Sequence, residues 1–375
     1  MTLGRTINIL KVLGVAPLLA SLFVSCDATI HEYPKSLKAE IVIKADIDHT
    51  GPYDYKEIDF DDEGKYTVKE LPSRPSEVFN PDKGWRLRVT YEIRKRTQDG
   101  HTGDLVERRI KYTEKFGDET IDTIHTVLND GNYIVAVFAD YLSSNPEQAY
   151  NTDLISQIKS NYKTIFSNNY IKSCGAGRTP FSIDFNLSED GFPNQDPGRG
   201  AKPGTLESRQ VKVDVSHPVT RIKIVATDYD IFSKSVAGEV KIQTVLAYKQ
   251  FVAIGFNAFS DMPNDFSKGY ITRSQPLRVA PALNTRRGGE EKEKTIFMDY
   301  LFSNPAGEDS VMIDFDIVDS NGKTVNRIRN VSVPLKRNHE TILKGMFLTK
   351  EYKGGDNGVS IDEGFDGEYI VNVGD

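Results

Sequence analysis

The chain has 375 residues, of which 38% are hydrophobic and 27% are charged, a composition typical of folded globular domains and not of disordered chains. Its formal net charge is −7, which argues against a nucleic-acid partner because phosphate binding requires concentrated Lys and Arg. The length is too great for one small core and suits two domains of ordinary size.

The amino terminus has the features of an export signal. Arg5 and Lys11 precede an apolar run at residues 12–24, which is shorter than the roughly 20 residues that a membrane-spanning helix needs. The run ends at Ser25 and Cys26, and this ending resembles a bacterial lipoprotein signal. The resemblance implies cleavage between Ser25 and Cys26 and lipid on Cys26. An ordinary secretory signal followed by a chance cysteine is the alternative.

The first predicted strand covers residues 37–47. Apolar and polar residues alternate along it, which is the period of a half-buried strand. The residues on its apolar face are Leu37, Ala39, Ile41, Ile43, Ala45 and Ile47. Residues 48–84 are polar and rich in turn formers, and this composition predicts a long loop.

Further strand patterns fill the first half of the chain. They lie at residues 85–94, 105–112, 120–128, 133–140 and 181–185, with a tight turn at residues 129–132. The nearly all-apolar run at 133–140 predicts a strand buried on both faces. Residues 147–172 have mixed spacing, so one or two short helices are expected there.

A segment dense in Pro and Gly at residues 191–204 predicts the domain boundary, giving domains at 26–204 and 205–375. Strand patterns resume after it at 211–215, 219–228, 239–246, 251–258, 270–279, 295–302, 311–318, 324–334, 338–348 and 367–373. Many short strands separated by turns predict an all-β fold built of two β-sandwiches.

The sequence lacks recognisable signatures of catalysis. None of the six histidines is spaced from another as a zinc pair, and no nucleophile elbow, phosphate loop or dinucleotide motif occurs. The acidic clusters at 59–63 and 356–368 could bind calcium, but solvated acidic loops are the better interpretation. Cys174 is the one thiol left if Cys26 is lipidated, and no chemistry is expected of it. We therefore predict no enzyme activity, no cofactor and no metal.

Several segments together resemble the fimbrillin-like surface lipoproteins of Bacteroidales, the type V pilus superfamily. Besides the lipoprotein start, they lie at residues 131–141, 150–152, 219–228, 338–349 and 361–368. The order of these segments carries the resemblance. It implies two transthyretin-like, Greek-key sandwich domains in tandem, no catalysis, and a location on the outer membrane or in a fimbrium.

The resemblance also implies assembly by strand addition, in which a sheet edge with unpaired backbone groups accepts a strand from another subunit. In polymerising members a protease cuts after a basic residue and releases the first strand, which here is 37–47. The candidate donor strand contains Tyr369, Ile370, Val371 and Val373. The candidate processing residues are Lys56, Lys65, Lys69 and Arg74, although Pro75 makes Arg74 a poor site.

The sequence leaves three functions open. The first is a structural or adhesive fimbrial subunit, as stalk, anchor or accessory. Its partners would be other subunits in a homo- or heteropolymer, the outer membrane through lipid on Cys26, and a host or bacterial surface receptor. The second is a glycan-binding surface lipoprotein of a nutrient-uptake system. A secreted hydrolase is a third reading that would require carboxylates or metal ligands converging in a pocket.

Overall fold

The computed structural model describes residues 38–48, 50–75, 85–114, 121–143, 148–161, 166–168, 170–184, 208–281 and 292–352. Cα proximity divides the chain into two compact units. The smaller unit comprises Met1–Glu40, Val127–Asp130 and Ile183–Ser208. Nearly all described residues belong to the larger unit, which comprises Ile41–Thr126, Gly131–Ser182 and Arg209–Asp375.

Strands make up 66% of the described residues and helices 4%, so the predicted all-β fold is confirmed. In the first half the strands are β1 (Lys38–Ile47), β2 (Tyr53–Phe60), β3 (Tyr66–Glu70), β4 (Arg86–Arg96), β5 (Thr102–Thr113), β6 (Ile121–Asn129), β7 (Gly131–Leu142), β8 (Tyr150–Asn151), β9 (Ile158–Ser160) and β10 (Cys174–Ile183). A short 3-10 helix, Tyr170–Lys172, precedes β10.

In the second half the strands are β11 (Ser208–Val215), β12 (Val219–Ala226), β13 (Val240–Tyr248), β14 (Phe251–Asn257), β15 (Met262–Lys268), β16 (Ile271–Arg273), β17 (Leu277–Val279), β18 (Lys294–Phe302), β19 (Asp309–Asp319), β20 (Thr324–Leu335) and β21 (His339–Gly345). A short α-helix, α1 (Tyr229–Ser235), follows β12.

The strands form four sheets. A three-stranded sheet has the order β11-β1-β6, and a four-stranded sheet has the order β10-β7-β4-β5. A nine-stranded sheet has the order β3-β2-β21-β12-β18-β14-β9-β8, with β15 also paired to β14. A five-stranded sheet has the order β16-β13-β19-β20, with β17 paired to β13. The tight turn predicted at 129–132 connects β6 to β7, and a second tight turn at 319–322 connects β19 to β20.

The nine-stranded and five-stranded sheets enclose one large core, here called the C-terminal core. Its members include Ile58, Ile222, Phe297, Phe315 and Phe347, all at most 1% exposed. The opposite face of the nine-stranded sheet packs against the four-stranded sheet around a second core, here called the junction core. That core includes Ala136, Phe138, Tyr150, Phe256 and Phe302. Strands β12 and β18, at the centre of the nine-stranded sheet, are therefore buried on both faces, which is why they lack simple alternation.

The prediction of a long loop at residues 48–84 is wrong. Strands β2 and β3 form a hairpin within it, and β2 runs parallel to β21, with Tyr53 opposite His339. A register shift between Asp54 and Lys56 places the buried Tyr55 and Ile58 three residues apart, so the period of two is absent.

The helices expected at 147–172 are found only in part. That segment contains the 3-10 helix at 170–172 and the short strands β8 and β9, while α1 lies in the second half. Because β2, β3, β8 and β9 share a sheet with strands beyond residue 205, segments from both sides of the predicted boundary are hydrogen-bonded together. The division at 204 itself stays a prediction.

Candidate assembly site around the first strand

Strand β1 occupies the centre of its sheet, between β6 and β11. Its apolar face is buried as the alternation predicts: Ala39, Ile41, Ile43 and Ala45 have no exposed surface and Ile47 has 7%. Burying one isoleucine side chain stabilises a fold by about 1.5–3 kcal/mol, so this face contributes strongly to holding β1 in place. Leu37 lies outside the described residues.

A central strand differs from an edge strand in what its removal would expose. Without β1, the backbone groups of β6 and β11 that face it would lose their hydrogen-bond partners, and the apolar seat of the Ile41 and Ile43 side chains would open to water. Such a seat is suited to one extended segment with apolar residues at every second position.

Strand β10 closes one side of this region against β11. Backbone hydrogen bonds join Ala176 and Ser216 in both directions, at 2.8 and 3.1 Å. A Cβ on Gly177 would lie 2.2 Å from the backbone oxygen of Asp214, and one on Gly175 would lie 2.8 Å from the Val215 side chain. The glycines at both positions therefore permit an approach that no larger residue allows.

The chain leaves β1 through a short link, residues 48–52, which is fastened to its surroundings. The backbone nitrogen of Asp48 donates to the oxygen of Val215 at 3.0 Å. The buried ring of His217 lies between two carbonyl oxygens, with Nε2 2.7 Å from that of Thr50 and Nδ1 2.8 Å from that of Cys174. A neutral imidazole donates one of these bonds and an imidazolium donates both. His217 thus ties the link to the start of β10.

The four candidate processing residues all lie in or beyond the β2–β3 hairpin. Lys56 is inside β2 and is paired with Glu70 at 3.3 Å, and Lys69 is inside β3. Lys65 lies in the exposed turn between the two strands. Arg74 follows β3, and its carbonyl oxygen accepts a hydrogen bond from the Asp54 nitrogen at 2.8 Å.

This arrangement has a consequence for release of β1. The link at 48–52 contains no Lys or Arg, so a cut at Lys65, Lys69 or Arg74 would leave all or part of the hairpin attached to the released segment. Strand β2 buries Tyr55 and Ile58 and bonds to β21 along its length. Release of β1 by such a cut would therefore also require stripping β2 from the nine-stranded sheet.

The other site residues predicted from the sequence lie either outside the described residues or in the buried interior. Ser25, Cys26 and the donor residues Tyr369, Ile370, Val371 and Val373 lie outside the described residues. Cys174 is fully buried, and burial raises the pKa of its thiol, so it stays protonated at neutral pH.

Among the described residues, no group of three or more His, Cys, Asp or Glu side chains could hold a metal ion. No helix among them is long and apolar enough to cross a bilayer.

Residues 57–374 match a family described as a family of unknown function, DUF6562, and the chain belongs to that family. No curated protein matches the chain.

Solved structures similar to this chain include three from Bacteroidales. The fimbrial anchor protein Mfa2 from Porphyromonas gingivalis has a TM-score of 0.36 and 11% identity, covering 77% of this chain and 82% of that one. A structure titled "putative adhesin" from Bacteroides ovatus has a TM-score of 0.36 and 11% identity, covering 82% and 89%. One titled "putative polysaccharide binding proteins" from Bacteroides thetaiotaomicron has a TM-score of 0.39 and 7% identity, covering 78% and 80%.

Proposed function

We propose that this chain is a non-catalytic surface subunit of a fimbria that keeps its own first strand and joins other subunits by β-strand addition. It is held in the outer membrane by lipid on Cys26. In this role it is an anchor or accessory subunit and not a repeating stalk subunit.

One observation carries the proposal: every candidate processing residue after β1 lies either inside the β2–β3 hairpin or beyond it. Because β2 is hydrogen-bonded to both β3 and β21, processing there would damage the second sandwich. This arrangement would hinder a subunit that must lose β1 in order to function, because cleavage would disrupt the nine-stranded sheet. It has no such effect on a subunit that retains β1.

Retention of β1 determines what kind of contact the subunit can make. Its own groove is filled, so it cannot accept a strand from a neighbour at that position. It can still donate one, and the alternating segment with Tyr369, Val371 and Val373 is the candidate donor. A subunit that donates but does not accept occupies one end of a polymer, which is where a lipid-bearing anchor belongs.

The first test is the chemical state of the protein on its own cells. We expect mass spectrometry of the surface protein to find lipid-modified Cys26 as the first residue and peptides from residues 38–47 in every copy. A mature chain that begins after Lys65, Lys69 or Arg74 would contradict retention of the first strand and favour a stalk.

The second test addresses the donor strand. Val371→Asp places a charge on the alternating apolar face, and we expect it to abolish co-isolation of other fimbrial subunits while the protein still reaches the surface. Asn372→Asp is the matched control, because it adds the same side chain on the opposite face of the strand, and it should keep co-isolation. Equal behaviour of the two variants would count against this segment as the donor.

A second candidate function, glycan binding, is supported by one surface. Phe251 on β14 and Phe266 on β15 are 65% and 53% exposed. Phe266 pairs with Ala253, so the two rings lie on the same face of the hairpin as diagonal neighbours. Exposed aromatic rings are a common platform for sugars. Binding on a glycan array that is lost in a Phe251→Ser/Phe266→Ser double variant would favour this function, and an array without any binding would argue against it.

A further inference from the structure

Lys172 and Asp299 form a charged pair deep inside the molecule. Lys172 ends the 3-10 helix at 170–172 and Asp299 lies in β18, and their side chains are 3% and 0% exposed. The lysine Nζ is 2.6 Å from Oδ1 of Asp299. The hydroxyl of Tyr248 donates to the other oxygen, Oδ2, at 3.0 Å.

The surroundings of the carboxylate are apolar. Along β18, Asp299 lies on the same face as Phe297 and Leu301 of the C-terminal core. Its partner on the neighbouring strand β12 is Ile222. Tyr248 belongs to the same core and stacks against Tyr270, with ring centroids 5.3 Å apart. The Asp299 carboxylate is therefore a polar group on an apolar face of β18, and its hydrogen-bond partners are the amine of Lys172 and the phenol of Tyr248.

The charged form of this pair is expensive. Taking each ion out of water costs several kcal/mol, and mutual attraction offsets that cost only if all remaining hydrogen-bonding capacity is satisfied. An ammonium has three N–H donors, and within the described part of the chain Asp299 is the one acceptor bonded to Nζ. Formation of a covalent bond between the two groups requires one ammonium proton to pass to the carboxylate, and this step removes both charges.

We propose that Lys172 and Asp299 join covalently in an intramolecular isopeptide bond. The lone pair of the Lys172 Nζ attacks Cγ of Asp299, so that an N–C bond forms. The Cγ–Oδ1 bond breaks, and Oδ1 leaves as water with one hydrogen from the carboxylic acid and one from the amine. The products are a neutral secondary amide and one water molecule, and no oxidant, reductant or activating group is required.

Tyr248 is placed to assist this step as a positioning and hydrogen-bonding residue. Negative charge develops on Oδ2 during the attack, and the phenol already donates to that atom. Burial raises the pKa of Tyr248 well above its ordinary value, so the hydroxyl keeps its proton. The closed core also excludes the water that would favour hydrolysis of the amide.

A second buried pair shows what distinguishes this site. Arg88 and Asp140 are also buried and are joined by two hydrogen bonds of 2.8 and 2.7 Å, with Gln148 accepting a further bond from the guanidinium. A guanidinium keeps its proton and is not a nucleophile, so that pair stays ionic. It provides an internal control within one molecule.

The bond would join the segment before β10 to the strand β18 in the middle of the nine-stranded sheet. A force that pulls on the chain would then be borne by the covalent amide bond as well as by the packed side chains. For a surface subunit under tension this resists extension of everything between residues 172 and 299. The inference stands without the proposed function, since the bond can be found whatever the protein binds.

The test uses the full chain, denatured after purification and digested with trypsin. Trypsin does not cut after an acylated lysine, so we expect one branched peptide made of residues 164–178 and 295–323. Its mass should be lower than that of the two linear peptides together by one water molecule. Recovery of residues 164–172 and 295–323 as separate linear peptides from folded protein, with no branched species, would overturn the proposal.

Two variants sharpen the result. Tyr248→Phe keeps the ring and removes the donor to Oδ2, and we expect the branched peptide to form roughly a hundredfold more slowly after synthesis. An unchanged rate would refute the role of Tyr248. Lys172→Met removes the amine while keeping a long apolar stem, so its full chain should migrate more slowly than wild type on a denaturing gel. If that variant does not fold, the wild-type digest alone decides the question.

Discussion

The first strand and the hairpin that follows it are neighbours in sequence, yet the structure holds them in different ways. Strand β1 is central in a three-stranded sheet and is buried at every second residue. The β2–β3 hairpin belongs to the nine-stranded sheet, where β2 is buried mainly through Tyr55 and Ile58 and β3 is an exposed edge. Strand β1 alone resembles a strand that could be replaced by one from another subunit. The β2–β3 hairpin that follows it makes such a replacement difficult, because β2 is bonded into a different sheet.

The largest effect should come from breaking the seat of β1. Ile43→Asp puts a carboxylate where no surface is exposed, and we expect a loss of at least about 4 kcal/mol in the free energy of unfolding, or failure to fold. Val42→Asp makes the same change on the outward face of the strand and should cost about 1 kcal/mol. Urea denaturation measures both. Similar losses in the two variants would mean that β1 has no distinct buried face.

A smaller effect should follow from a cavity beneath the hairpin. Ile58→Ala removes a fully buried side chain from the C-terminal core, with an expected cost of about 2–5 kcal/mol in the same denaturation experiment. Val68→Ala on β3 is the control, because Val68 is 48% exposed and its loss should change stability by about 0.5 kcal/mol or less. A hairpin that is only loosely attached would show little cost in either variant.

The smallest effect concerns pH and the end of the hairpin. Tyr352 packs against Phe60 and on Gly64 in the β2–β3 turn, where Gly64 has a φ of 84°. Burial raises the pKa of Tyr352 to about 12 from its ordinary value of 10.0. The neutral hydroxyl is therefore favoured by the fold. Its contribution is complete below about pH 10 and is lost as the pH rises through about 12.

We expect wild type to lose about 1 kcal/mol more than Tyr352→Phe between pH 10 and 12, since only wild type must ionise a buried ring at this position. Chemical denaturation at a series of alkaline pH values gives the difference. The comparison with the Phe variant isolates Tyr352 from the other buried tyrosines. Parallel stability curves for the two proteins would show that the turn is not held by this hydroxyl.

Much of the fold could be predicted from hydrophobic period. The alternation at residues 37–47 located β1 and its inward face, and the apolar run at 133–140 located β7, which is buried on both faces. Strand β2 was not predictable in this way, because a bulge shifts its buried residues to a spacing of three. Strand β15 was also missed, since its exposed residues and Pro263 leave no apolar face to detect.

Residues that act through burial were not predictable from sequence. Lys172 reads as a solvated lysine and Asp299 as an interruption of an apolar strand, and only the fold brings them within 2.6 Å across the chain. His217 follows a strand and precedes Pro218, with nothing in the sequence to connect it to Thr50. Long-range pairing of single polar groups has no local pattern, because each partner is chosen by topology and not by neighbouring residues.

The parallel pairing of β2 with β21 also determines when folding of the nine-stranded sheet can be completed. Strand β2 begins at Tyr53, whereas the strand that receives it begins at His339, so the two can pair only once His339 and the residues after it have been synthesised. Until then Ile58 and its neighbours have no partner and are exposed to association with other chains. Closing so large a loop is slow, so the pairing of β2 with β21 should be a late step in folding.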